Sequence, residues 1–431
     1  MNSIKQSPAL YNIVVAHYLV SAICFVVLAV MLLFSPEVLT GHYFHPKLLA
    51  ITHMAALGWG TLIIFGASYQ LLPVVLETDL YNHTLAWVSF AFFVSGLVSL
   101  VCAFWIFDPG LHMQIGSIFL LTGIILYSLN IFLTGRKNKK GLSIDQELII
   151  TSCIWLTCTA ILGVLLVFNF RFAFLPKDHL QFLKLHAHMG IGGWFLLLVI
   201  GVSSKLLPMF LVSSNPKIKL LTWSYYLING ALILFLADTY VYGINPKTYF
   251  IALIAAAGII FYLFYVRSCF VSRIRKVIDM PILSTILSFA LLSTGLVALP
   301  FIIYYHLKSD PASVRLTTLY GTLLFMGWIS ALILGQTFKT LPFIVWVKHY
   351  EHLAGKAKTP LPADLYGNNL LKIQSAAFLV FCLAFFVGIM ISSQVLIEFG
   401  LFCLFITAAF YLVNVLKVLM HKTKTTGYDK L

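Results

Sequence analysis

The sequence predicts an all-α polytopic membrane protein, with twelve transmembrane helices in three pseudo-repeated arcs of four helices. The chain has 431 residues, of which 61% are hydrophobic and 10% charged, whereas soluble domains are about 45–50% apolar and about 25% charged. Apolar stretches long enough for a membrane-spanning helix, about 20 residues, recur along the whole sequence. The connections between them are short, so we expect a single membrane domain over residues 1–431.

The predicted spans are apolar windows bounded by polar or charged residues. In chain order they cover residues 9–34, 46–76, 83–107, 110–134, 147–174, 180–212, 218–242, 246–271, 280–306, 314–347, 368–393 and 395–420. The first window is too long for a signal-peptide core and has no small-residue cleavage signal, so we expect it to remain as the first span.

The basic residues predict the orientation of the chain. A net charge of +14 would favour nucleic-acid binding in a soluble protein, but here the charges belong to short loops beside a lipid bilayer. Most Lys and Arg residues fall in alternate connections, which places those loops and both termini in the cytoplasm. We therefore expect a multi-pass protein of the bacterial cytoplasmic membrane that contacts lipid and no nucleic acid.

Three of the predicted helices share an internal repeat. In helices 2, 6 and 10 a Trp is followed seven residues later by Gly and fourteen residues later by Pro: Trp59, Gly66, Pro73; Trp194, Gly201, Pro208; Trp328, Gly335, Pro342. The nearly equal spacing of the three tryptophans predicts three arcs, over about residues 9–134, 147–271 and 280–420. We expect each Gly to admit a neighbouring helix or a flat ligand, and we assign Trp59 and Trp194 as candidate cofactor contacts.

Two histidines occupy the same place in the repeat. His53 lies six residues before Trp59, and His188 lies six residues before Trp194. An ionisable side chain inside a membrane is a functional candidate by default, and two imidazoles are typical axial ligands of heme iron. The sequence therefore predicts that His53 and His188 bind one low-spin heme. The third copy has Thr322 at this position, which offers no nitrogen ligand.

A third histidine points to a second site. His186 is about 200° around the helix from His188, so its ring serves a different site, and a second metal or heme between helices 6 and 10 is one hypothesis. The residues at the place of His186 in the other copies are Ile51 and Tyr320. Arg171 stands near the predicted outer level of His186, where a guanidinium can bind heme propionates or simply anchor the helix at the interface.

The motifs of helices 2 and 6 resemble a known family. The segment H-A-H-M-G-I-G-G-W-F-L-L-L-V-I-G-V-S-S-K-L-L-P closely resembles the His-x-His helix of heme-copper oxidase subunit I, especially its C-type branch. The segment I-T-H-M-A-A-L-G-W is similar to the low-spin heme ligand region of helix 2 in that family. The NnrS-like membrane heme proteins, linked to nitric oxide metabolism, are a similar group.

This resemblance implies heme b, in one or two copies, with His53 and His188 as the low-spin ligands and His186 as the ligand of a high-spin heme. The chain departs from the family in two places. The oxidases carry the His-x-His pair in helix 10, and their copper site needs further histidines on helices 6 and 7. Helix 7 of this chain, L-T-W-S-Y-Y-L-I-N-G-A-L-I-L, has no His, so we do not expect a copper site.

The leading hypothesis for function is a heme b membrane protein that transfers electrons and is linked to nitric oxide or another diatomic gas. Its expected partners are a cytochrome or quinol donor, or subunits of a respiratory complex, and whether it is an oxidoreductase is left open. One alternative is a twelve-helix secondary transporter, because internal repeats are also usual in that class. The other is a non-catalytic subunit or assembly factor of a respiratory complex. Bound heme would separate the first hypothesis from both alternatives.

Overall fold

The fold consists of long apolar helices. A computed structural model describes residues 8–75, 78–137, 142–214, 216–356 and 358–423. In these ranges there is no strand, and twelve helices are long and apolar enough to cross a membrane. We number them α1 to α12: Leu10–Leu33, Pro46–Leu71, His83–Ile106, Leu111–Gly135, Ile144–Phe172, His179–Leu211, Lys219–Tyr242, Lys247–Val271, Met280–Leu307, Ala312–Leu353, Asn368–Ile391 and Gln394–Leu419. The predicted fold class and its twelve spans are confirmed.

The helices close into a ring with three helices near its middle. Neighbours in sequence pack as pairs, most extensively α3 with α4, α7 with α8 and α11 with α12, and α12 returns to pack against α1. The most buried of the twelve are α2, α6 and α10, the helices that carry the sequence repeat. The predicted side of the termini stays a prediction, and residues 1–7 and 424–431 lie outside the described ranges.

The outward surface of the ring is apolar. Large side chains such as Phe250, Leu253 and Phe402 are exposed on the outer helices. A contiguous exposed apolar surface of this kind is unfavourable in water and suits the hydrocarbon interior of a bilayer. The chain is therefore a multi-pass membrane protein.

The three central helices are interrupted by a wider helical turn at matching positions. The hydrogen bonding of α2, α6 and α10 changes to the π type over Met54–Thr61, Met189–Leu196 and Leu323–Ile329. Each π segment begins directly after His53, His188 or Thr322. Such wide turns occur frequently at functional sites, because they change which face of the helix a side chain occupies.

The repeated tryptophans join the central helices to one another. The Trp59 Nε1 on α2 donates to Ser330 Oγ on α10, and the Trp194 Nε1 on α6 donates to Thr61 Oγ1 on α2, each over 3.0 Å. Each acceptor lies two residues after the Trp of its own helix. On α6 this position is Leu196, whose side chain cannot accept, and Trp328 Nε1 on α10 has no partner among the described residues.

We expect Ser330→Ala to destabilise the protein through the Trp59 indole. The substitution leaves a fully buried N–H without an acceptor, which costs about 1–3 kcal/mol. Ser293→Ala is the matched control, because both hydroxyls donate to a carbonyl of their own helix but only Ser330 also accepts from an indole. Thermal unfolding of the detergent-purified variants checks this, and equal midpoints for the two variants would contradict it.

The repeated glycines lie where a neighbouring helix crosses. A Cβ on Gly66 would come within 2.5 Å of His17 Cβ on α1, and one on Gly335 within 2.5 Å of the Pro281 carbonyl oxygen on α9. A Cβ on Gly201 would come within 2.9 Å of Ile149 Cγ1 on α5. Of the two predicted roles, these glycines therefore have the first, which is to admit a helix. The equivalent crossings support the prediction of three arcs.

Candidate metal centre

Two histidines of α2 and α6 lie side by side near the start of the π segments. The ring centres of His53 and His186 are 6.4 Å apart, with 29° between the ring planes. The His53 Nδ1 lies 2.7 Å from the Leu49 carbonyl oxygen, and the His186 Nδ1 lies 3.0 Å from the Thr159 carbonyl oxygen. A carbonyl oxygen can only accept, so each Nδ1 carries the proton and each Nε2 keeps its lone pair. Both imidazoles are therefore in the tautomer that binds metal through Nε2.

The spacing of these rings fits two ligands of one metal ion. Bonds between a metal and an imidazole nitrogen are about 2 Å long, and Nε2 lies about 1 Å from the ring centre, so two imidazoles on opposite sides of one ion have centres about 6 Å apart. The observed 6.4 Å agrees with this value. Two neutral nitrogen ligands are also the donor set of a six-coordinate heme iron.

The surroundings hold both rings in place. Phe104 on α3 stacks on His53, with 5.0 Å between ring centres and 21° between planes. On α5, Gly163 leaves room for His186, because a Cβ there would lie 3.0 Å from the imidazole Cε1. The Thr159 carbonyl on the same helix fixes the ring orientation. The site is thus built from α2, α3, α5 and α6.

Gly163→Ala is expected to displace the His186 ring and weaken metal binding. The added methyl group overpacks the imidazole, and overpacking costs about 1–3 kcal/mol. Gly230→Ala is the control, since a Cβ at Gly230 meets nothing within 4 Å. The iron and heme contents of the purified variants are the measurements. Wild-type iron and heme content in Gly163→Ala would contradict the prediction, because it would show that the His186 ring can move aside without loss of binding.

The second histidine of the His-x-His pair faces a large cavity. The His188 Nδ1 lies 2.8 Å from the Lys184 carbonyl oxygen, so His188 also keeps its Nε2 lone pair. Its ring centre lies 4.6 Å from Phe235 and 6.3 Å from Tyr320, with 22° between its plane and that of Tyr320. The cavity has a volume of about 850 Å³ and lies among α2 and α6 to α10, which is large enough for a cofactor-sized ligand.

One end of this cavity is polar. Lys184 and His306 line it together with Asp310, whereas most of its wall is aliphatic. A cationic group beside an apolar wall suits a flat apolar molecule that carries carboxylates.

The structure brings His53 beside a different histidine from the one predicted as its partner. The sequence predicted His53 with His188, but His186 lies beside His53, and His188 lies against Phe235 and Tyr320. His186 and His188 are about 200° apart around α6, so their rings lie on different faces of that helix. The binding of heme by the predicted residues stays a prediction.

Trp59 and Trp194 lie buried between helices. They are 0% and 1% exposed, and their N–H groups are bonded to Ser330 and Thr61. Both therefore join helices, and their predicted contact with a cofactor stays a prediction. Arg171 lies exposed at the end of α5, with its guanidinium 5.7 Å from the centre of the Phe172 ring. Its predicted contact with heme propionates stays a prediction.

Several residues that shape these sites were absent from the sequence-based set. Thr159 and Gly163 act on His186 from α5, Phe104 and Phe235 pack on His53 and His188, and Lys184 lines the cavity. Tyr320 lies eight residues before Trp328, just as His186 lies eight residues before Trp194. This equal position in the repeat was the signal that could have placed Tyr320 beside His188. In the described part of the chain, no group of three or more His, Cys, Asp or Glu side chains is arranged to hold a metal ion, and the absence of copper stays a prediction.

Comparison with known proteins bears on the fold. No protein-family model matches the chain, and no curated protein sequence matches it. A chain from the cryo-EM structure of a heme-copper terminal oxidase dimer is similar in structure over 97% of this chain and 85% of its own length, with a TM-score of 0.66 and 12% sequence identity. At this identity the likeness shows the fold alone. The chain therefore has the fold of a heme-copper terminal oxidase chain, and two of its three most buried helices, α2 and α6, carry the histidines described above.

Proposed function

We propose that the chain is a heme b-binding membrane protein that transfers electrons, with His53 and His186 as the residues that would hold one heme. The observation that carries this proposal is the 6.4 Å spacing of two imidazoles whose Nδ1 atoms are both engaged by backbone carbonyls. The oxidase-like fold supports it, because the structural neighbour described above is a heme-copper terminal oxidase.

The protein groups around this site hold each imidazole in one tautomer and one orientation. The carbonyls of Leu49 and Thr159 fix the tautomer and orientation of the two imidazoles, which is the usual task of groups bonded to a ligating His. A bound heme supplies one-electron redox chemistry, and two imidazoles favour electron transfer over binding of a further ligand. Phe104 and the surrounding apolar helices exclude water, which tunes the reduction potential.

We place a second heme in the cavity beside His188. His188 would supply the one imidazole ligand of this heme, and heme held by a single imidazole would supply binding of a small diatomic molecule such as nitric oxide. Lys184 and His306 at the polar end are the groups that can bind propionates. The proposal includes no copper site, because helix α7 carries no His.

The proposal also includes the membrane in which the protein lies and the partners with which it exchanges electrons. We propose a bacterial cytoplasmic membrane with both termini in the cytoplasm, on the distribution of Lys and Arg. A cytochrome or quinol donor, or the subunits of a respiratory complex, would exchange electrons with the His53 and His186 site.

A reduced-minus-oxidised spectrum with a pyridine hemochrome assay tests the proposed function. Protein purified from heme-replete cells is expected to show a b-type spectrum, with one heme for each of the two sites. His112→Ala is the control, because the His112 side chain is 83% exposed and its loss should leave the spectrum unchanged. A colourless, iron-free preparation would overturn the proposal.

The cavity itself favours a second candidate function, that of a secondary transporter. A space of about 850 Å³ with a charged end also suits a substrate, and helical repeats are usual in that class. Solute uptake by proteoliposomes made with heme-free protein would support the transporter. Uptake that is absent, together with stoichiometric heme, would exclude it.

A further inference from the structure

Two loops at one end of the helices are joined by backbone hydrogen bonds. The loop after α6 and the loop after α8 form an isolated antiparallel bridge between Ser213 and Arg273. The Ile274 N–H also donates to the Val212 carbonyl oxygen over 3.0 Å. We call the described residues of these loops, 212–214, 216–218 and 272–279, the paired loops. They hold the ends of α6 and α8 together.

The paired loops and the adjoining helix ends have an excess of positive charge. Between residues 212 and 219 and between residues 266 and 279 the sequence has one carboxylate, Asp279, which already pairs with Arg275 and with Lys339 on α10. The backbone N–H of Lys217 donates to Ser268 Oγ over 3.2 Å, which holds Lys217 beside α8. Four exposed basic side chains of this surface form no ion pair with the described part of the chain: Lys217, Lys219, Arg267 and Lys276. A basic cluster of this kind attracts an anionic partner.

Arg273 lies in the bridge between the loops. Its Nη1 donates to the Phe270 carbonyl oxygen over 2.6 Å, whereas its Nε is buried and has no hydrogen-bond partner among the described residues. A buried N–H without an acceptor is unfavourable. The guanidinium therefore retains a donor for an oxygen anion, and its fork of N–H groups matches the geometry of a phosphate.

Apolar side chains are exposed on the same surface. Val212, Ile218, Ile274 and Val277 are each more than half exposed, and so is Trp223 near the start of α7. Water is an unfavourable surrounding for such groups, whereas the boundary between lipid headgroups and acyl chains suits both aliphatic and indole side chains. An acidic protein segment would use the basic residues alone. The combination of basic and apolar side chains therefore favours a lipid as the partner.

We propose that the paired loops bind the phosphate of an anionic phospholipid. Arg273 donates to the phosphate oxygens, Lys217 and Arg267 surround the headgroup with positive charge, and the exposed aliphatic side chains contact the nearest part of the acyl chains. Basic pockets between membrane helices are typical binding sites of anionic headgroups. The lipid connects the end of α6, the helix of His186 and His188, to α8. This lipid site is independent of bound heme.

Titration of the delipidated, detergent-purified full chain with phosphatidylglycerol tests this site, and native mass spectrometry measures the binding. We expect saturable binding of phosphatidylglycerol and a higher thermal midpoint in its presence. Binding of the zwitterionic phosphatidylcholine should be at least tenfold weaker, because its headgroup carries no net charge. Arg273→Gln should weaken phosphatidylglycerol binding at least tenfold, since it removes the guanidinium from the bridge.

A double variant of exposed residues tests the site even if Arg273→Gln fails to fold. Lys217→Gln combined with Arg267→Gln is expected to weaken phosphatidylglycerol binding about fivefold. Arg136→Gln combined with Lys137→Gln is the matched control, because it removes one Arg and one Lys charge from exposed side chains at the end of α4. The control should keep the wild-type affinity. Equal affinities in the two double variants would overturn the proposal.

Three further results would also overturn it. They are equal affinities for phosphatidylglycerol and phosphatidylcholine, saturation of the site by inorganic phosphate alone, and tighter binding of a poly-glutamate peptide than of phosphatidylglycerol. The first would leave no role for the positive charge. The second would make the ligand a free anion, and the third would make it an acidic protein segment.

Discussion

Replacing His186 by alanine is expected to abolish the low-spin heme site and to leave the site at His188 occupied. In the proposed site His186 supplies one of the two nitrogen ligands, and no other described imidazole lies beside His53. We expect the pyridine hemochrome assay to show about half of the wild-type heme. The low-spin signal in electron paramagnetic resonance should be lost almost completely.

His188→Ala should give the reverse pattern, with the low-spin signal retained and carbon monoxide binding lost. His53→Ala should match His186→Ala, because both contribute to the same site. If His188→Ala removes the low-spin signal and His186→Ala keeps it, the pairing read from the structure is wrong and the pairing expected from sequence is right.

Gly335→Ala is expected to impair assembly of the helices more than Gly66→Ala or Gly201→Ala. The added Cβ would lie 2.5 Å from the Pro281 carbonyl oxygen and 3.0 Å from Ser284 Cβ on α9. A backbone atom cannot yield without moving its helix, so the cost is at or above the usual 1–3 kcal/mol of overpacking.

Folded yield and thermal midpoint in detergent measure this effect. Gly230→Ala adds the same methyl group in α7 where nothing lies within 4 Å, so it should behave like wild type. A Gly335→Ala variant with wild-type yield and midpoint would show that α9 and α10 can separate without cost.

Much of the fold could be predicted because the membrane imposes a simple rule on sequence. A helix must satisfy its own backbone and present about 20 apolar residues to lipid, and this pattern marks all twelve spans. The helix crossings at Gly66, Gly201 and Gly335 could also be predicted from the sequence, because close approach of two helix backbones requires the absence of a side chain.

The neighbours of these histidines could not be predicted from position in the repeat. Equal offset from Trp59 and Trp194 made His53 and His188 appear to be partners, but in the structure His186 lies beside His53, and His188 lies against Phe235 and Tyr320. Which residue of α6 faces α2 depends on the packing of the helices and on the π segment that follows each histidine. The sequence pattern shows neither directly.

The role of the tryptophans was hidden for a related reason. Their burial and their bonds to Thr61 and Ser330 involve residues far apart in sequence. The cavity beside His188 likewise arises from residues of several helices besides α6, and no local motif encodes its volume.

The most direct test of the central claim is a cryo-EM map of the heme-replete protein at a resolution that shows side chains. The account predicts a flat macrocycle with its iron bonded to Nε2 of both His53 and His186. Density for a macrocycle bridging His53 and His188, or side chains and lipid filling the space between His53 and His186, would contradict it.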